Sequence, residues 1–475
     1  MHQLWQWSPL LLGALPPVAG APAAASGSAL RVLASNPRWF TDGSGKAIYL
    51  TGSHTWGNFK DMGESDPPPA FDFGAYLDFL VGHHHNFIRL WSWELPCSPQ
   101  GQRTGALFRF PFPWPRSGPG LATDGKLRFD LARFDPSYFD RLRARVSAAR
   151  ERGIYVSVML FDGYGPQFNR TPADGFPYDG ANNINGLAAG GTESQSLRLA
   201  AVTANQEAYV RQVVDTVNDL DNVLYEVANE AGVYSTAWQY HFIQLVKRYE
   251  ATKPAQHPVG MTFQYAGGSD ALLLDSPADW ISPAGPGYGY PTDPPAADGR
   301  KVVVNDTDHS LYYVGLQQAG PAAQREWVWK NFLRGNNTLF MDPYLLAWPG
   351  RNQPRGDTPD PYWDTLRNAM GDTRRWAERV NLAAMTPHDA LSSTAYCLAH
   401  PAARGAEYLV YLPTGGPVSV DLSAAAGELA VTWCSAADGR TVRAGAVSGG
   451  ARRDLRSPFT GDAVLWLVDP ARVAP

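Results

Sequence analysis

Cysteine is scarce: the 475 residues hold three, Cys97, Cys397 and Cys434. That number cannot build a disulfide scaffold, and no CxxC pair offers a zinc site. Cys397 and Cys434 share the C-terminal stretch, where they either pair or sit as two buried thiols. A glycine-rich phosphate loop and an HExxH helix are both missing, so no metal and no cofactor is expected. Charge is sparse as well, with 18% charged residues and a net charge of -5. A nucleic-acid partner would need a basic face that this balance does not supply. No stretch is long and apolar enough to span a bilayer, so no membrane partner is expected. Lys and Arg are absent before Arg31.

What is present suits a large folded chain. Hydrophobic residues make up 44% of the sequence, enough for a substantial core. The 16 Trp and 21 Tyr could serve as stacking platforms for sugar rings, although aromatics also fill ordinary cores. Residues 1–29 read as a secretory leader: Pro9 to Leu15 is apolar, and small residues follow in AGAPAAASGSA. A secreted or periplasmic location is therefore expected, despite the missing basic residue.

The pattern from 30 to 385 alternates between strand and helix. Strands are expected at 47–51, 86–93, 154–161, 223–230, 259–265, 280–283, 301–305 and 338–342. Helices are expected at 71–82, about 135–152, 203–220, 235–252, 321–333 and 361–380, with Asp135 and Ser235 as N-caps. His83 to His85 closes the first helix and reads as a surface cluster. Eight strands interleaved with these helices predict an α/β chain folded as a (β/α)₈ barrel. From 386 to 475 the helical period disappears, and short runs such as EYLVYLP and AVLWLVD predict a small all-β antiparallel sandwich.

The fourth strand, VLYEVANE, carries the strongest chemical signal. Its apolar run ends abruptly in Asn229 and Glu230. A carboxylate at the C-terminal mouth of a barrel strand is where this fold places its chemistry. The bland alternative is a strand-to-helix loop with Glu230 near a helix N-terminus. Strand seven adds Asp306 and Asp308, which share the parity of Val302 and Val304 and would point into the barrel if the chain stays extended. The alternative for NDTDH is an Asx-turn. Glycosidic cleavage needs a carboxylic acid for the leaving oxygen and a second carboxylate as nucleophile or base. Glu230 with Asp306, or else Asp308, meets that need.

Other strand ends offer His54, Trp56, Trp91, Trp93, Asp162, His309 and Asp342 as substrate contacts. Each Trp could equally be barrel packing. Glu226 sits deeper in its strand and reads as a buried charge paired with an arginine, Arg89 being one candidate.

These motifs resemble clan A glycoside hydrolases, in which an Asn-Glu pair ends strand four and a carboxylate ends strand seven. The resemblance implies that Glu230 is the acid/base, that Asn229 contacts the hydroxyl beside the anomeric carbon, and that Arg89 of FIRLW is the strand-two arginine. LTGSHTWGNF, NDTDH and the segment from Ala395 to Ser423 are further similar to the apiosidase-like branch, whose C-terminal domain is named for collagen binding. An Asp where the clan carries Glu is the departure. The expectation is an exo-acting, retaining glycosidase with a carbohydrate substrate. The alternative is a non-catalytic binder of carbohydrate or collagen on the same barrel.

Overall fold

The computed structural model describes residues 28–99, 106–265, 267–285, 292–310, 312–345 and 359–472. The expected leader lies outside these residues except for Ser28 and Ala29. The chain divides into two compact units, with the break between Pro387 and His388.

In the first unit, eight parallel strands form one sheet: β1 (Thr51–His54), β2 (Phe87–Leu90), β3 (Tyr155–Asp162), β4 (Val223–Asn229), β5 (Val259–Thr262), β6 (Trp280–Ser282), β7 (Val302–Asp306) and β8 (Asn337–Met341). Their spatial order is β1-β8-β7-β6-β5-β4-β3-β2. Asn86 N–H donates to Thr51 O at 2.9 Å, which brings the two ends of the order together as a barrel. Phe87, Leu224, Trp280, Val302, Val304 and Leu339 form an apolar layer inside it. Leu30, Phe40 and Leu50 join the same cluster. The opposite parity, including Ile88, Val223, Tyr225 and Val227, packs against Val146, Val210 and Phe242 of the surrounding helices.

Several boundaries differ from expectation, and side-chain amides explain why. The first strand starts at Thr51 rather than 47, because Ile48 N–H bonds Phe40 O and Leu50 N–H bonds Asn337 Oδ1. The second strand stops at Leu90, because Trp91 N–H turns to Asn58 Oδ1 at 3.1 Å. Asp135 caps its helix, Pro136–Arg150, through Ser137 N–H at 3.0 Å. Ser235 does not cap Thr236–Glu250; its hydroxyl donates to Gly232 O instead. Between β5 and β6 stands a short helix, Asp270–Leu274, that the sequence did not suggest, and among the described residues no helix separates β6 from β7. The histidine run is not all surface: His85 is buried, bonded to Ser53 and to Arg367 O, and burial lowers it to about 3. No helix among the described residues is long and apolar enough to cross a membrane.

The second unit is all β. Antiparallel strands β9 (Cys397–His400), β10 (Glu407–Leu412), β12 (Glu428–Ser435), β13 (Thr441–Ser448) and β15 (Ala463–Val468) run in the order β9-β10-β15-β12-β13. β11 (Gly415–Asp421) pairs with β14 (Arg452–Thr460). Val418 and Val420 from the pair share one core with Tyr408, Val431, Trp433 and Leu465, giving the sandwich. Cys397 and Cys434 are buried free thiols within it.

Candidate active site

A charged layer lies above the barrel's apolar layer. Arg89, Glu226 and Asp306 continue the inward parity of Phe87, Leu224 and Val304. All three side chains are buried, so their charges survive only by mutual compensation. Arg89 Nε donates to Glu226 Oε2 at 2.8 Å, and Nη2 bonds the other Glu226 oxygen. Arg89 Nη1 donates to Asp306 Oδ2 at 2.7 Å, and Nη2 reaches Asn229 Oδ1 at 2.6 Å. One guanidinium thus joins β2, β4 and β7.

His54 completes the support around Asp306. Its Nε2 lies 2.9 Å from Asp306 Oδ2, while Nδ1 accepts from Trp91 Nε1 at 2.7 Å. Accepting at Nδ1 leaves the proton on Nε2, so the ring is neutral. Burial also lowers His54, against the pull of Asp306. Burial alone would raise the Asp306 carboxyl; the His54 N–H and the Arg89 guanidinium outweigh it and hold the group below the usual carboxylate range.

The strand does not stay extended past Asp306. Residues Thr307–Ser310 form a helical turn, and Asp308 N–H donates to Asp306 Oδ1 at 3.0 Å. The Asx-turn reading of NDTDH therefore describes the backbone. The turn swings Asp308 and His309 over the mouth, where the Glu230 and Asp308 carboxylates and an imidazole nitrogen of His309 lie within 4.8 Å of one another. Glu230 directly follows β4 in a left-handed conformation, φ 55°. Its residue is 8% exposed and the Asp308 side chain 11%, against 1% for Asp306.

Burial and then the Asp308 charge raise Glu230 well above the ordinary carboxylate range. Burial and then Asp306 raise Asp308 to about 7, against the pull of Arg89. Both groups thus sit in a field that already holds two compensated anions. Asp308 Oδ2 has no hydrogen-bond partner, and Arg89 Nη1 stands 3.8 Å away.

The trio Glu230, Asp308 and His309 has the spacing of a divalent-cation site. The imidazole does not suit that role. Its Nδ1 bonds Ser282 Oγ at 2.8 Å and its Nε2 bonds Asn229 Oδ1 at 2.9 Å, so a cation would have to displace one of them. Burial lowers His309 to about 3, and it stays neutral. Asn229 Oδ1 accepts from both Arg89 and His309, which fixes its amide orientation.

The remaining candidates lie around and beneath this group. Trp91 and Trp93 are buried and stacked at 4.9 Å, so they pack beneath the mouth. Trp56 is half-buried and meets Trp93 edge-on. Asp162 and Asp342, both expected as substrate contacts, are buried and hold bonds within the protein, although Asp162 Oδ2 has no hydrogen-bond partner. Asp162 Oδ1 accepts from Tyr164 N–H and Gly165 N–H, and Asp342 holds Arg367 through two bonds of 2.7 Å. Sequence reasoning passed over Lys60, which is buried against Phe112 and donates to Trp93 O. Burial lowers it to about 7, and burial raises nearby Glu94 to about 8. Its position in a polar GNFKD stretch gave no signal.

No protein-family model and no curated protein matches the chain. Solved structures do. A glycoside hydrolase superimposes with a TM-score of 0.61 at 14% identity, over 94% of this chain and 97% of that one. The chain has the fold of that hydrolase. A glycoside hydrolase family 5 structure from Bacteroides vulgatus ATCC 8482 gives 0.58 at 13% identity, over 93% and 94% of the two chains. At such identities the likeness shows the fold alone, a (β/α)₈ barrel with a β-sandwich.

Proposed function

We propose that the protein is a retaining glycoside hydrolase whose reacting carboxylates are Glu230 and Asp308. The observation that carries this reading is that one oxygen of each comes within 4.8 Å of the other at the C-terminal mouth of the barrel. Retaining pairs stand ~5–5.5 Å apart, whereas inverting pairs leave ~6.5–9.5 Å for a water. Glu230, raised well above the ordinary carboxylate range, holds the proton for the leaving oxygen. Asp308, with an unpartnered oxygen beside Arg89, is the anion that attacks the anomeric carbon. Asp306 is a positioning residue: it orients His54 and Arg89 and fixes the turn that presents Asp308. The compensated charges of Arg89, Glu226 and Asp306 make a rigid floor, so little reorganisation is needed as charge develops. In this reading Asn229, its Oδ1 held by Arg89 and His309, binds the hydroxyl next to the reacting carbon.

The substrate is a carbohydrate. The fold shared with glycoside hydrolases supports that class. Export is supported by the apolar run and small residues of the N-terminal leader. Exo action is supported by the extra strands Cys97–Pro99, Ala106–Phe110, Arg116–Leu121 and Leu127–Phe129, which elaborate the connection after β2.

The test is hydrolysis of a broad panel of polysaccharides and aryl glycosides, furanosides included, by wild type and Glu230→Gln. The variant should lose natural linkages by orders of magnitude yet keep aryl glycosides with good leaving groups, which need little protonation. Asp308→Gly should be inactive and should form a glycosyl azide when azide is added. Equal loss on both substrate types in Glu230→Gln would remove Glu230 from the acid role.

A further inference from the structure

The loops flanking Glu230 carry rings that the two-carboxylate chemistry does not use. Tyr164 and Phe168 follow β3, Tyr234 follows β4 and Tyr265 follows β5. Phe168 stands 5.0 Å from Tyr164 and 5.1 Å from Tyr265 between ring centroids, the second pair edge-on at 88°. Phe168 is 44% exposed, and neighbouring Val233 and Tyr234 are nearly as open. Exposed carbon of this extent beside a reaction centre invites a ligand.

The platform is held from below. Asp162 Oδ1 accepts from Tyr164 N–H at 3.0 Å and Gly165 N–H at 2.9 Å, fixing the turn Gly165–Phe168. Asp162 O accepts from Gln195 Nε2 at 2.7 Å, and Gln195 Oε1 accepts from Tyr234 O–H at 3.0 Å. Asp162 and Gln195 are buried. Gln167 Nε2 donates to Glu230 O at 3.4 Å, tying the same turn to the acid. The rings are therefore set in place before any ligand arrives.

Their side of the mouth is informative. The strands flanking β4 are β3 and β5, while β7, which leads into Asp308, stands three places away. The acid faces the leaving group and the nucleophile approaches from the other side. The rings line the acid's side, so what lies against them is the part of the substrate that departs. A second sugar would present a rim of hydroxyls, each needing a partner. Phe168, the most exposed of these rings, and Val233 have no polar side-chain atoms, the Tyr234 hydroxyl is turned to Gln195, and Tyr164 and Tyr265 meet Phe168 through their rings. A flat carbon face is what this surface matches.

We propose that Tyr164, Phe168, Tyr234 and Tyr265 form a leaving-group subsite selective for an aromatic aglycone. The proposal rests on Glu230 and Asp308 being the reacting pair. The experiment compares 2-phenylethyl and methyl glycosides of whichever sugar the wild type cleaves. Both leave as simple alcohols and differ in the ring. The ratio of their kcat/KM values, aromatic over methyl, should fall about tenfold in Phe168→Ala. Phe168 is exposed, so its truncation opens no core. An unchanged ratio overturns the proposal, as does an equal fall on a disaccharide of the same sugar. A second arm needs no turnover: saturation-transfer NMR with 2-phenylethanol should give a signal in wild type and in Glu230→Gln, and lose it in Phe168→Ala and Tyr265→Ala. No signal in wild type overturns the subsite. A signal that behaves as expected in a protein that cleaves nothing supports the ring site and removes the hydrolase reading instead.

Discussion

Asp306→Asn keeps the shape of a buried side chain and removes its charge, and Asp308 should register the loss. Arg89 Nη1 lies 2.7 Å from Asp306 Oδ2 and 3.8 Å from Asp308 Oδ2. The two carboxylate oxygens are then at most about 6.5 Å apart, and at an effective dielectric of about 20 a unit charge at that distance is worth about 2.5 kcal/mol. That energy corresponds to nearly 2 pH units, roughly. The Asp306 anion opposes ionisation of Asp308, so its removal lowers the Asp308 value. The acid limb of kcat/KM, set by Asp308 at about 7 in wild type, should fall to about 5 in the variant. Arg89 keeps Glu226 as a bidentate partner, so the variant should fold, which thermal unfolding checks. The assay is a pH profile of kcat/KM on an aryl glycoside for both proteins. An acid limb that stays near 7 would refute the coupling. Complete inactivity restored by azide would make Asp306 the nucleophile and refute the positioning role.

Wild-type activity should rise with pH through about 7 as Asp308 becomes an anion, and fall only where Glu230, raised well above the usual range, loses its proton; an optimum in the acidic range would sink this order of ionisation. Arg367→Met leaves Asp342 as a buried anion without its two 2.7 Å partners, and chemical denaturation should show a loss of about 3–5 kcal/mol. A loss under about 1 kcal/mol would show that the pair is replaceable by packing. Gly163→Ala would place a methyl 2.2 Å from Ala231 N and 2.3 Å from Asn229 O. Those are backbone atoms that cannot swing away, so the Asn229–Glu230 segment must shift and kcat/KM should fall by about tenfold or more. Unaltered activity would mean that the two strand ends are more pliable than their packing implies.

Eight strands and the Asn229–Glu230 terminus were legible because apolar runs that stop in polar pairs mark barrel strands and their mouths. That Glu226 needs an arginine was legible for a related reason, since a charge at inward parity must find a countercharge, and the fold supplies Arg89. Strand boundaries were less so, because Asn58, Asn86 and Asn337 lend their side-chain amides to backbone groups from far along the chain. The period-two rule placed Asp306 inward but failed for Asp308, since Asp306 itself caps a turn that ends the strand. Asp162 and Asp342 had the sequence position of substrate contacts, yet their partners are turn amides and a distant arginine that no local pattern predicts. The aromatic platform had a signal in YGPQF and FQY, but only the fold shows that those loops are neighbours.

Glu230 occupies a left-handed backbone conformation that a β-carbon disfavours, at a penalty of about 1–2 kcal/mol. Glycine there would release the strain and remove a hard-to-ionise carboxyl from a crowded field. Selection for robustness alone would therefore favour losing the acid. A mutant library of this chain screened only for heat resistance should accumulate Gly at 230 and return sturdy, silent barrels. Persistence of Glu at that position in any lineage is then a record of use, kept against the direction in which stability pulls.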